Sequence, residues 1–191
     1  PVTKEYIGFD ELKANPPQAD IYITGSDQVW NSFYNRGIDK SFYLDFAPNE
    51  AKRISYAASI GMAEFPENEI TETRALLSKY DYITVREIAA KEMLAQMEIS
   101  SEVVLDPTLL LDKFEWEALA NRFPFEEKEP YLLTYSVEYG NEDSYIKLYA
   151  QQIAAKQGLK IYHITYGGCP YDNYYDKVFT YATPDQFLNL M

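Results

Sequence analysis

Ser26-Asp27-Gln28, with Trp30 and Asn31 close behind, gather a hydroxyl, a carboxylate, amides and an indole directly after the apolar run Ile21-Tyr22-Ile23-Thr24-Gly25. A carboxylate within hydrogen-bond reach of a hydroxyl can orient it and take its proton, which makes Asp27 the candidate base. The competing use of the same side chain is to cap the next turn by accepting backbone N–H bonds. Gln28 and Asn31 suit recognition of neutral hydroxyls; Trp30 offers either a flat face for a sugar or a plug for the core. Three later strings add to the set. Ser59 and Gly61 permit close backbone approach by a ligand, or tight packing. Arg86 is the candidate anion clamp, since a guanidinium pairs bidentately with carboxylate or phosphate; its alternative is an internal pair with Glu87 or another acid. Glu87 and Asp106 complete the candidates for substrate binding, each with a structural alternative: a helix cap for Glu87, a turn cap for Asp106 before Pro107.

These groups need elements to hold them. β-branched and aromatic residues predict buried strands over 21–24, 53–61, 82–85 and 103–105. Pro66 and Glu67 open a helix that runs to about Lys79, and residues 88–97 carry apolar side chains at helical spacing. Residues 29–46 form a long aromatic loop of the kind that is usually functional. Strands alternating with helices predict a parallel sheet with helices on its faces. Parallel strands end on one edge, where open α/β sheets bind ligands. The prediction is therefore a single polar rim assembled from four motifs.

A helix over 114–123 precedes the charged, proline-ended stretch 125–130, where the sequence places a domain boundary. The domains read as 1–124 and 125–191. The second begins a new alternation: strand 131–137, helix 144–157, strand 160–164, a possible strand 178–181 and a helix opened by Pro184. Tyr166-Gly167-Gly168 offers a weak phosphate cradle, and Cys169 shows no partner base.

Composition narrows the function. A net charge of −13 without clustered Lys or Arg excludes wrapping a nucleic-acid backbone and disfavours anionic membranes. No apolar run is long enough to span a bilayer. One Cys and one His, His163, rule out an internal disulfide and a His- or Cys-rich metal centre; a reducing, cytoplasmic setting fits, and no metal is expected. The 18 tyrosines suit sugar faces, or simply half-buried strand positions.

The ordered strings Asp20-Ile21-Tyr22-Ile23-Thr24-Gly25-Ser26-Asp27-Gln28-Val29-Trp30-Asn31, Ile54-Ser55-Tyr56-Ala57-Ala58-Ser59-Ile60-Gly61, Val85-Arg86-Glu87 and Val104-Leu105-Asp106-Pro107-Thr108-Leu109-Leu110 resemble the polysaccharide pyruvyl transferases. Trp116 follows at about the expected distance. The likeness is close from Asp20 to Arg122 and loose beyond. It implies a Rossmann-like sheet in a glycosyltransferase-B-like, two-domain architecture, with the first strand absent and the second domain incomplete. It implies transfer of a pyruvyl group from phosphoenolpyruvate, with no further cofactor, to a sugar hydroxyl of a bacterial exopolysaccharide or its lipid-linked precursor. The family's opening segment has no match before Asp20. Its Ser-Phe-His-Gly-like string would fall beyond Met191, so His163 does not inherit the catalytic role and the segment alone is expected to be inactive. Two rivals stay open: a nucleotide-sugar glycosyltransferase of the same architecture and an inactive glycan-binding module. Oligomeric state is left open.

Overall fold

Ile21–Gly25 forms β1, with Tyr22 and Thr24 buried and Ile21 and Ile23 turned outward. This is the period-two alternation expected of a strand with one covered face. In this computed structural model, residues 4–123, 125–127, 129–136, 145–166 and 172–191 are described. The first compact unit runs to Leu110 and the second starts at Leu111.

In the first unit, β1, β2 (Lys52–Ala58), β3 (Tyr82–Val85) and β4 (Glu102–Val103) make a parallel sheet in the order β1-β2-β3-β4. The register pairs Ile23 with Ile54, and Ile54 with Tyr82. Short helices precede or link the strands: α1 (Phe9–Ala14), α2 (Ser32–Asn35), α3 (Ile70–Leu77) and α4 (Ile88–Gln96). Right-handed crossovers that all step the same way lay their helices on one face. The burial pattern agrees: Tyr22, Arg53, Ser55 and Ile83 are buried, while Ile21, Ile23 and Tyr82 on the opposite face are exposed. The main core joins Trp30, Tyr43, Ile60, Leu77, Val85 and Leu94. β4 is shorter than the predicted strand, and the aromatic loop contains the unpredicted turn of helix α2.

Arg53 is buried in this unit, and its guanidinium donates to the carbonyls of Leu44 and Ala47. A charged side chain satisfied by carbonyls is a strong tie, because charge-assisted bonds outweigh neutral ones. It fastens the aromatic loop to β2. Between Ser55 and Ala58 the β2–β3 register shifts at a bulge, where Ala57 adopts φ 52°. Ser55 and Thr84 bridge the gap with side-chain bonds to each other's backbone. Bulges commonly re-aim residues beside functional edges, and this one sets the exit of β2 toward Ser59.

The second unit holds β5 (Tyr131–Ser136), β6 (Lys160–Thr165) and β7 (Lys177–Thr180) in a parallel sheet, with α5 (Lys113–Ala120), α6 (Tyr145–Gln157) and α7 (Pro184–Leu190). The division lies at Leu110/Leu111 rather than at 124/125. The reason is packing: α5 rests on α7, and Asn189 Nδ2 donates to the Ala120 carbonyl at 3.1 Å. Both units are thus α/β with parallel sheets and flanking helices.

Candidate functional site

The four strand tips meet along the carboxyl edge of the first sheet. Gly25 pairs with Tyr56, Ala58 with Val85, and Val85 with Val103. Backbone bonds stitch the tips: Ser59 N donates to Asp27 O at 3.1 Å, Trp30 N to Ser59 O at 3.4 Å, and Arg86 N to Ala58 O at 3.1 Å. Gly25 is required here, since a Cβ at that position would run into the Tyr56 carbonyl oxygen. The edge therefore brings Ser26, Asp27, Ser59, Gly61, Arg86, Glu87 and Asp106 together in one rim.

Within the rim the candidates divide sharply. Asp27 is exposed, and its Oδ1 accepts from Gln28 N at 2.7 Å while Oδ2 has no hydrogen bond among the described residues. One carboxylate oxygen thus accepts a backbone N–H of its own turn, and the other is left unengaged by the described residues. Asp27, Gln28, Val29, Tyr34, Asn35 and Phe42 line a cleft of about 340 Å³. Ser26 is half-buried, with a hydroxyl engaged by no described partner.

Asn31 and Trp30 have their polar atoms engaged within the protein. Asn31 Oδ1 accepts from Phe33 N and Tyr34 N at 3.0 and 3.2 Å, capping α2. Its Nδ2 donates to Gln28 Oε1 at 2.7 Å and to Gly61 O at 3.3 Å. With both amide ends engaged and the residue 2% exposed, Asn31 is a post that ties three segments. Trp30 is 1% exposed, stacked on Tyr43 at 5.9 Å and edge-on to Tyr80, with Nε1 donating to Phe42 O. It plugs the core, because burying an indole returns more than leaving it in water. Ser59 is also buried. Gln28 has spent its Oε1 on Asn31, and Gly61, at φ 63°, lies where a Cβ would strike the Gln28 side chain.

Arg86 is held by two acids. Its Nε donates to Glu87 Oε1 at 3.0 Å and its Nη1 to Asp106 Oδ2 at 2.9 Å. Asp106, then Glu87, raise the guanidinium pKa above its ordinary value. Asp106 is pushed down to about 2, first by the Thr108 hydroxyl and backbone N–H and then by Arg86. Two carboxylates against one guanidinium leave this cluster with no surplus positive charge, which is poor provision for an anion. Glu87 occupies the N-cap position of α4 without making the capping bond; its carboxylate turns to Arg86 instead. Asp106 does cap its turn, accepting from Thr108 N at 2.9 Å.

Tyr34 and Phe42 belong to the aromatic loop that the sequence marks as functional but are not singled out there, and Glu69 is not singled out at all; all three line clefts. The signal for the first was present: Asn31 before Ser32-Phe33-Tyr34-Asn35 is an N-cap ahead of a helical turn. In the second unit, His163 is buried, its Nδ1 lies 2.9 Å from Thr134 Oγ1, and its ring stacks on Tyr175 at 4.3 Å. Burial lowers its pKa. Gly167, Gly168 and Cys169 lie outside the described residues. Among the described residues no cluster of three or more His, Cys, Asp or Glu side chains could hold a metal ion, and no helix is long and apolar enough to cross a membrane.

A family model for polysaccharide pyruvyl transferase matches residues 3–191. The chain belongs to that family. The match reaches well outside the stretch from Asp20 to Arg122 that carried the sequence resemblance, at both ends. No curated protein and no solved structure matches the chain. Membership in the pyruvyl transferase family indicates polysaccharide pyruvyl transferase activity in general, with a glycan as acceptor. It also gives the rim a chemistry to be weighed against: sugar hydroxyls on one side of the reaction and a pyruvyl donor on the other.

Proposed function

We propose that this chain supplies the acceptor-binding side of an enzyme that moves a pyruvyl group from phosphoenolpyruvate to hydroxyls of a glycan. In forming a ketal, two sugar oxygens bond to C2 of the donor, the enol methylene becomes a methyl group, and the C2–O–phosphate bond breaks. The two hydroxyl protons end on the methyl carbon and the departing phosphate. Asp27 is the group that takes a hydroxyl proton. The observation carrying this role is its exposed carboxylate, backed by the Gln28 amide and facing a cleft with the Tyr34 and Phe42 rings. Aromatic faces beside a single acceptor group suit a hydroxylated, apolar-faced ring. Ser26 offers a second hydrogen-bonding group to the same sugar.

Arg86 is a positioning residue in this reading, pinning the β3 and β4 tips through Glu87 and Asp106, rather than the main clamp for the donor. A glycosyltransferase-B-like pairing of the two α/β units, and a cytoplasmic role in bacterial exopolysaccharide synthesis, belong to the same proposal. The test is acceptor-dependent release of phosphate from phosphoenolpyruvate by the full-length protein. Asp27→Asn should lower kcat by roughly 100-fold or more, the usual worth of a general base, with KM for phosphoenolpyruvate little changed. Wild-type turnover in that variant refutes the role. Glycan binding without any turnover in the wild type supports a binding module instead.

A further inference from the structure

A second cleft, of about 460 Å³, lies on the other side of Tyr34. Asn31, Phe33, Tyr34, Gly61, Met62 and Glu69 line it, and Tyr34 lines both clefts. Phe33 and Tyr34 are 82% and 68% exposed, while Trp30 and Tyr43 of the same loop are buried. Core packing does not account for two adjacent rings left in water. The backbone that carries them is tied at both ends: Asn31 caps the start of α2, and Gly37 N donates to Ser32 O at 2.8 Å at its end. Aromatic faces left in water offer contact area for a ligand.

The polar content of this cleft selects its ligand. Glu69 contributes a carboxylate whose Oε2 is buried and has no hydrogen-bond partner among the described residues. Among the described residues no Lys or Arg lines either cleft. A cleft with a carboxylate and no cation repels a phosphate- and carboxylate-bearing donor, and it suits a neutral ring with hydroxyl donors. We propose that the cleft beside Glu69 holds the sugar unit adjoining the one placed at Asp27, so that the protein reads at least two consecutive sugars across Tyr34. This rests on the acceptor reading of Asp27 and adds a subsite to it, with Glu69 and Phe33 as specificity-determining residues.

The experiment compares lactose and cellobiose with methyl β-galactoside and methyl β-glucoside, using the full-length protein and calorimetric binding together with phosphate release. At least one disaccharide should bind roughly tenfold more tightly than its monosaccharide, as expected for a second ring stacked on Phe33 and Tyr34. Glu69→Gln and Phe33→Ala should each collapse that ratio toward one without raising KM for phosphoenolpyruvate. Phe33 is on the surface, so its variant separates a binding effect from misfolding. Equal binding of both sugar lengths by the wild type overturns the subsite, as do variants that keep the disaccharide preference. A raised KM for phosphoenolpyruvate in either variant also overturns it and gives the cleft to the donor. Disaccharide preference without phosphate release supports the subsite while refuting the transfer reading, so the two fail separately.

Discussion

Removing the Asn31 side chain offers the clearest measure of how the rim is held. Asn31→Ala deletes two capping bonds to Phe33 N and Tyr34 N and two donated bonds to Gln28 Oε1 and Gly61 O. Loss of an Asn cap costs about 1 kcal/mol. Leaving partners unsatisfied costs about 1–3 kcal/mol each when they stay dry, and the low end applies because Gln28 is half-buried and Gly61 exposed. The sum is about 3 kcal/mol, or roughly 12 °C in Tm for a unit of this size. Asn31→Asp separates the terms: its oxygen still caps α2, but it cannot donate, and its charge faces two acceptor oxygens. It should cost about 2 kcal/mol. Urea titration followed by Trp30 fluorescence in a Trp116→Phe background reads the first unit directly. If Asn31→Ala unfolds within about 0.5 kcal/mol of wild type and loses only sugar binding, Asn31 is a ligand group and the post assigned here is wrong.

Two further perturbations probe the same edge. Gly25→Ala should cost about 3 kcal/mol or more, because the new methyl meets the Tyr56 backbone and β1 must leave its neighbour; a thermal melt near wild type would contradict the close approach. For Asp106 the folded pKa is depressed to about 2, so its contribution to stability is present above the unfolded value near pH 4 and is lost as pH falls toward 2. Asp106→Asn should flatten that part of the Tm–pH curve, and an unchanged acid limb would rule the contribution out.

Much of the scaffold was legible in the chain. Tyr82-Ile83-Thr84-Val85 reads as a strand and is β3, because alternating β-branched residues between polar stretches leave little choice. Thr183-Pro184 announces α7, where Thr183 and Gln186 form a capping box. The rim was legible too, since parallel strands with polar ends must deliver them to one edge. What escaped was set by tertiary packing. α1 buries no residue and so leaves no apolar stripe to read. Asn31 reads as a hydroxyl-recognising residue and Trp30 as either a sugar face or a core plug; the chain folds back over Ser59 and buries both. Arg86 reads in sequence as either an anion clamp or half of an internal pair, and only the fold brings Asp106, twenty positions later, beside it. The sequence puts its boundary where Pro130 punctuates, whereas the compact unit begins at Leu111 because α5 packs on α7.

The order β1-β2-β3-β4 repeats in space the order of synthesis. Each strand after β1 has a partner already made when it emerges, and none of these four must be inserted between earlier ones. Pairings that span few residues close quickly, so this sheet can be laid down progressively from the ribosome, with Asp27 among the first groups in place and Asp106 the last to lock Arg86.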